Sequence, residues 1–256
     1  MEYEDIAVDE PSPGVTLLTL NRPAVMNAMR YKTHDEVDDL LAGLDTRVLV
    51  ITGAGRGFCS GDDVVDIFRN GEGVEMGEDP GLLGTSRALL NARYPIIAAV
   101  NGPAVGWGAD LALMADIRIA ARRARFSEMF VRRGQAADVA GLARLWQLVG
   151  RERAARMLFT GDFVGADDAL AWGLVSEVVD DDHVVDTALE LARSIAANPP
   201  LAVAAMKAGL QRTSDPNWEQ LGQWLGLIHA DLFRTEDHRE SVRAYLEHRP
   251  PVFTGH

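Results

Sequence analysis

Residues 96–120 carry the sequence IIAAVNGPAVGWGADLALMADIRIA, in which a strand pattern, a glycine-rich break and a helical pattern follow one another without a linker. The apolar run that begins this stretch has the length of a buried strand, and three glycines end it. A helical pattern over 109–115 and a second short strand over 117–120 come next. This order predicts a strand, a turn and a helix that pack together as one α/β unit.

Similar units flank this stretch on both sides. Strand patterns occupy 15–20 and 47–52, a helical pattern fills 33–44 between them, and another helical pattern covers 139–149. Alternating strands and helices in which the strands are apolar throughout predict an α/β fold whose sheet is covered on both faces.

The last quarter of the chain has a different pattern. Strand signals fade from about residue 182, and helical periodicity continues over 183–197, 199–212, 217–233 and 236–248. We therefore predict an α/β core over residues 1–195 and a helical region over residues 196–256. The apolar stripe of the third of these helices can pack on the core or on another subunit, and its members are Trp218, Leu221, Trp224, Leu225 and Ile228.

The composition excludes several functional classes. Lys and Arg number 25 against 38 Asp and Glu, so the 256-residue chain has a net charge of −13, which argues against nucleic acid and anionic membranes as partners. Cys59 is the only cysteine, which excludes an intrachain disulfide and a cysteine-based zinc site. No His pair has metal-ligand spacing, and no targeting segment or run of ~20 apolar residues is visible. We expect a cytoplasmic protein without a metal site.

The two glycine loops do not fit nucleotide-binding motifs. Phe58 and Leu111 stand where the dinucleotide fingerprint needs its third glycine, and no Gly-Lys-Ser/Thr follows either loop. The second loop leads directly into a helix, whose free N–H groups and positive dipole end can hold an anion. Two such loops that face each other can stabilise one carbonyl oxygen from both sides as negative charge develops on it.

Several blocks of sequence, in this order, resemble the crotonase superfamily, also called the enoyl-CoA hydratase/isomerase family. They are LTLNRP at 18–23, MNAM at 26–29, VITGAGRGFCSGDD at 50–63, IAAVNGPAVGWGADLALMADIRIA at 97–120, FTG at 159–161 and RPPVF at 249–253. The resemblance implies a crotonase-like spiral of ββα units with a helical C-terminal trimerisation region, assembled as a homotrimer or a hexamer. It also implies an acyl-CoA thioester substrate and no cofactor beyond the CoA of that substrate.

The resemblance assigns roles to main-chain groups. The N–H groups of Asp62 and Trp107 match the oxyanion hole of the family, and the backbone at Ala28, Ser60 and Asp62 matches its CoA-binding segment. Trp107 departs from the family, which usually has glycine there. The main-chain N–H survives this change, whereas the indole needs space and reshapes the acyl pocket.

The candidate acids are Asp110 and Asp138. Asp110 matches the position of a hydratase glutamate, which is an aspartate in some dienoyl-CoA isomerases, although an acid in a first helical turn is also favourable through the dipole alone. Asp138 resembles the site of an aspartate in dienoyl-CoA isomerases and in a family dehalogenase, or it only caps the helix from Val139.

The second hydratase acid is missing, because Phe130 stands at its position. Glu128 is a poor substitute on an extended chain, since its Cα would be displaced by about 6–7 Å along the strand. His34 lies among charged residues on a helix that we expect to face solvent.

The sequence thus favours an acyl-CoA enzyme that works through an enolate, by hydration or double-bond isomerisation. Two alternatives stay open. One is another crotonase-type reaction, of a lyase or a hydrolase. The other is a CoA-ester-binding protein that has lost catalysis.

Overall fold

The computed structural model describes residues 3–67, 84–212, 231 and 234–256. The helix predicted over 217–233, with its apolar stripe, therefore lies outside the described residues except for residue 231. Within the described residues no helix is both long enough and apolar enough to cross a membrane.

The strands occur mainly in the first half of the chain, and the helices lie between and after them. The strands are β1 Ile6–Ser12, β2 Val15–Leu20, β3 Val48–Gly53, β4 Ile96–Val100, β5 Ala104–Val105, β6 Ile117–Ala121, β7 Arg125–Ser127, β8 Val164–Gly165 and β9 Glu177–Val179. The helices are α1 Tyr31–Gly43, α2 Val64–Ile67, α3 Gly84–Asn91, α4 Trp107–Met114, α5 Val139–Ala143, α6 Leu145–Val149, α7 Arg151–Thr160, α8 Ala166–Trp172, α9 Val184–Ala196, α10 Pro200–Arg212 and α11 Glu236–Glu247. Short 3-10 helices cover Pro23–Val25 and Met129–Arg133.

The predicted α/β core is confirmed. Six strands form a sheet in the order β1-β2-β3-β4-β6-β9, and every neighbouring pair except β1 with β2 is parallel. The apolar runs that predicted β3 and β4 are buried along their whole length, because side chains pack on both faces of the sheet. Helix α9 covers one face, and α1 and α4 lie on the other.

Several elements differ from the sequence prediction, and one helix and one strand show why. The helical pattern over 139–149 is two short helices, α5 and α6, which meet at Arg144. Strand β1 was not predicted, because acids and Pro11 interrupt its apolar pattern; it pairs antiparallel with β2 at the sheet edge, with an irregular register between Asp9 and Ser12. An edge strand tolerates both features.

A second, three-stranded sheet positions the loops. Its order is β5-β7-β8, so the strand that follows the glycine break of 101–103 lies beside the strand that ends at Ser127. The main-chain N–H of Gly106 donates to the carbonyl of Ser127 at 2.8 Å. The start of helix α4 is thereby held next to the segment that carries Glu128 and Phe130.

Candidate active site

The two glycine loops are hydrogen-bonded to each other. The N–H groups of Phe58 and Cys59 both donate to the carbonyl of Pro103, at 3.1 and 3.2 Å, and the N–H of Val105 donates to Cys59 at 3.0 Å. Buried Asn27 fastens the first loop from behind, because its side-chain amide donates to three of the loop's carbonyls. The loops form one hydrogen-bonded unit at the carboxyl ends of β3 and β4.

The close approach of the loops depends on glycine. Gly61 has φ +91°, and a Cβ placed on it would lie 2.8 Å from the carbonyl oxygen of Val105 and 3.4 Å from the nitrogen of Trp107. Asp62 follows Gly61 directly, so the two residues predicted to supply the oxyanion hole lie on adjacent loops. Within the described part of the chain, neither the N–H of Asp62 nor that of Trp107 has a hydrogen-bond acceptor.

A pocket of about 290 Å³ opens at these loops. The residues predicted from the family resemblance to bind the thioester and the CoA all line it: Ala28, Ser60, Asp62 and Trp107. Phe130 and Arg133 line it as well, whereas the three acids described below do not. The structure therefore brings the predicted main-chain groups together on one concave surface.

Asp110 lies in the first turn of helix α4 and is completely buried. One carboxylate oxygen accepts a hydrogen bond from the N–H of Gly141, and the other has no partner among the described residues. Burial raises the pKa of Asp110 to about 7, and the nearby negative charge of Asp138 adds to the rise, while the Gly141 hydrogen bond opposes it. A carboxyl group whose pKa is raised toward neutrality can accept and donate a proton near neutral pH, which suits acid–base catalysis.

Asp138 caps helix α5, and it also faces Asp110. Its carboxylate accepts a hydrogen bond from the N–H of Val139 at 2.7 Å. Its charge contributes to the raised pKa of Asp110. The helix-cap interpretation is confirmed, and direct proton transfer by Asp138 stays a prediction.

Glu128 is a candidate that the sequence reasoning set aside. The expectation that the chain continues extended past Ser127 is wrong: β7 ends there, and a 3-10 helix begins at Met129. This turn buries Glu128 to 1% exposure beside Asp110 and Asp138, while Phe130 points toward the pocket. The only signal in the sequence is a single acid within the mostly apolar stretch 126–131, which is weak.

His34 also differs from expectation. Its side chain is 20% exposed and turns toward the site, with its ring edge-on to Trp107 at 4.8 Å between ring centres. Its Nε2 lies 3.4 Å from a carboxylate oxygen of Asp62. Helix α1 thus supports both of the predicted oxyanion-hole residues from one side.

The side chain of Cys59 is buried. Burial raises the pKa of the Cys59 thiol to about 12, so this side chain is not a nucleophile at neutral pH. Within the described residues, no group of His, Cys, Asp and Glu side chains has an arrangement that could hold a metal ion.

The fold and the site define the class of protein. The sheet is mostly parallel and ends in two joined glycine loops. At the pocket these loops present two N–H groups without an acceptor among the described residues, and buried acids lie behind them. This combination is that of an α/β enzyme with the crotonase fold. Comparison with known proteins agrees, because residues 10–256 match the enoyl-CoA hydratase/isomerase family. The chain belongs to this family, and it is an enzyme of CoA-thioester chemistry.

Relatives within the family differ in reaction. The 1,2-epoxyphenylacetyl-CoA isomerase of Escherichia coli K12 is 36% identical over 94% of this chain and 95% of its own length. The short-chain-enoyl-CoA hydratase of Clostridium acetobutylicum is 34% identical over 97% of each chain. The crystal structure of an enoyl-CoA hydratase from Bacillus anthracis superimposes with a TM-score of 0.90 at 30% identity, covering 99% of this chain and 100% of that one.

Replacing Asp138 with asparagine tests its electrostatic effect on Asp110. We expect the acidic limb of the kcat/KM profile to move to lower pH, because a negative charge that raises the pKa of Asp110 is removed. Stability should change by less than about 0.5 kcal/mol, since asparagine caps helices as well as aspartate.

The matched control is Asp138→Ala, which should move the limb equally and cost about 1 kcal/mol because the cap is lost. An acidic limb that stays in place would show that Asp138 does not act on Asp110. Loss of turnover at every pH would instead support direct proton transfer by Asp138.

Proposed function

We propose that the enzyme isomerises the double bond of an enoyl-CoA thioester through an enolate. One observation carries the proposal. Two main-chain N–H groups that have no acceptor in the described part of the chain line one pocket, and Asp110 lies one turn into the helix that begins at Trp107. The thioester oxygen binds between these N–H groups, and the acyl carbons are directed toward Asp110. Because Asp110 is buried behind the pocket lining, this proposal requires the side chains that cover it to move when the substrate binds.

The N–H groups of Asp62 and Trp107 stabilise the oxygen as it becomes negative. Each preorganised donor of this kind contributes roughly 2.7–4 kcal/mol in acyl-transfer enzymes. Main-chain donors keep their proton at every working pH, and both residues are held by the hydrogen bonds that join the loops. The CoA part lies along Ala28 and Ser60; the Ala28 carbonyl already accepts a hydrogen bond from Arg22 and has a second lone pair for the ligand.

Asp110 moves the proton. As a carboxylate it takes a proton from the α carbon of a β,γ-enoyl thioester, and the electron pair of the broken C–H bond forms the enolate. The proton then passes from Asp110 to the γ carbon as the double bond forms between the α and β carbons. The carboxylate is regenerated, so no group beyond the substrate's own CoA is needed.

Phe130 favours isomerisation over hydration as the reaction of this enzyme. Hydration needs a second proton-transferring group at the site of water addition, and the phenyl ring at this position of the pocket lining cannot transfer a proton. A single base that returns the proton it took is sufficient for isomerisation.

The test uses β,γ-enoyl-CoA and α,β-enoyl-CoA thioesters in D₂O. We expect movement of the double bond in the first, exchange at the γ carbon in the second, and no hydroxyacyl product from either. A hydroxyacyl product would identify a hydratase. Binding of both thioesters without exchange or turnover would identify a CoA-ester-binding protein that has lost catalysis.

Assembly as a homotrimer or hexamer, a cytoplasmic location and the absence of a further cofactor also remain proposals. Family membership supports the first of these, and the single cysteine fits the reducing environment of the second.

A further inference from the structure

The side chain of Glu128 has no role in the reaction described above, yet its burial needs an explanation. It is 1% exposed, and neither carboxylate oxygen has a hydrogen-bond partner among the described residues. An ionised carboxylate in such a place costs several kcal/mol unless it is paired, so a group of this kind usually keeps its proton.

The groups that face Glu128 are both acids. Asp110 approaches from helix α4 and Asp138 from the start of α5, while no cation of the described residues offsets them. Burial raises the pKa of Glu128 well above its ordinary value, and repulsion from these two carboxylates raises it further. The carboxylate of Asp62 also repels that of Asp110, more weakly than Asp138 does.

Glu128 and Asp110 both approach the backbone at Gly141. A Cβ built on Gly141 would meet an oxygen of Glu128 at 2.9 Å and an oxygen of Asp110 at 3.1 Å. Both carboxyl groups therefore pack against the same point of the α5 backbone. Any larger residue at 141 would have to displace one of them.

We propose that Glu128 and Asp110 form a carboxyl pair that holds one proton in the resting enzyme, with Glu128 as the residue that carries it. This inference rests on the proposed function, in which Asp110 is the base. Glu128 acts through Asp110 and does not touch the substrate, so it is a positioning residue. It does not replace the acid that is missing at Phe130, because it does not line the pocket.

The number of protons that the pair holds is the same before and after one reaction cycle. In the resting enzyme the protonated Glu128 is uncharged, so it adds no repulsion to the ionised Asp110 carboxylate. When Asp110 takes the α proton, the C–H electron pair goes into the enolate and the pair holds two protons. One proton then forms the new C–H bond at the γ carbon, and the pair again holds one.

The first test is the pH dependence of kcat/KM in the wild type and in Glu128→Gln. The wild-type rate should rise through about pH 7 as Asp110 ionises and fall at higher pH as the pair loses its last proton. In Glu128→Gln the fall at high pH should disappear, because an amide does not ionise, and turnover should decrease about 10-fold or more. Glu128→Asp should restore the fall at high pH.

The second test counts protons in the free protein and does not depend on activity. Difference titration just above neutral pH should show one more bound proton in the wild type than in Glu128→Gln, because the proposed pair keeps its remaining proton on the glutamate after Asp110 has ionised. Equal proton counts, or a fall at high pH that survives in Glu128→Gln, would each overturn the proposal. Failure of the proposed function would be recognised separately, as wild-type protein without exchange or turnover on either thioester.

Discussion

Asp110→Asn is expected to lower turnover by about 10²–10⁴-fold and, above neutral pH, to make the folded protein more stable. The loss of turnover follows because an amide cannot take a proton from the substrate. The gain in stability follows because asparagine avoids the cost of ionising a completely buried carboxyl group.

The pH range of the stability effect follows from the pKa. Burial raises the pKa of Asp110 from 3.8 to about 7, so between these values the folded protein holds a proton that the unfolded chain has lost. The free energy of unfolding of the wild type therefore decreases as the pH rises across this range, and the decrease is complete above about pH 7. At roughly 1.4 kcal/mol per pKa unit, Asp110→Asn gains at most about 4 kcal/mol at alkaline pH and little below pH 4.

Thermal unfolding at several pH values measures this effect. The control is Asp116→Asn, which should lower the stability of the folded protein instead of raising it. Asp116 is the carboxylate partner of buried Lys207, at 2.8 Å, so removing its charge leaves a cation without a counter-charge and lowers stability. Equal stability of Asp110→Asn and the wild type at alkaline pH would show that ionising Asp110 does not destabilise the folded protein.

The second large effect is expected for Gly108→Ala, which should abolish activity and destabilise the fold by more than about 3 kcal/mol. A Cβ on Gly108 would lie 2.1 Å from the carbonyl oxygen of Cys59 and 2.7 Å from its carbonyl carbon. These are main-chain atoms, so they cannot turn away as the end of a flexible side chain can. The two glycine loops must separate, and the N–H groups of Asp62 and Trp107 then lose their common pocket.

Gly43→Ala is the matched control for this glycine. Gly43 ends helix α1, and a Cβ there would have no neighbour within 4 Å. Alanine should leave activity unchanged and raise stability by up to about 1 kcal/mol through its higher helix propensity. If Gly108→Ala kept both its melting temperature and its turnover, the close packing of the loops would not be what holds the site.

Local sequence patterns predicted most elements of the core. Apolar runs of strand length at 47–52 and 95–100 correspond to β3 and β4, since strands covered on both faces need apolar side chains throughout. Patterns that mix polar and apolar residues were less informative. Strand β1 escaped prediction, because an edge strand is defined by its pairing with β2 and not by its own composition.

The candidate site likewise contains features that the sequence predicted and features that it did not. The glycine loops and the place of Asp110 in the first turn of α4 could be predicted, because each depends on residues close together in the chain. The role of Asp138 as a cap of α5 was one of two interpretations that its position before Val139 allowed. Glu128 could not be placed, because its orientation depends on where β7 ends and the 3-10 helix begins.

The sequence by itself thus determined the parallel core, the two glycine loops and the family to which the chain belongs, since these follow from short-range patterns. Only the tertiary structure decided that Glu128 is buried against Asp110 and that Asp138 repels both. Carboxyl groups from three separate segments meet there without a cation among the described residues. Their protonation depends on burial and on distances through space, and neither quantity is encoded in the spacing of residues along the chain.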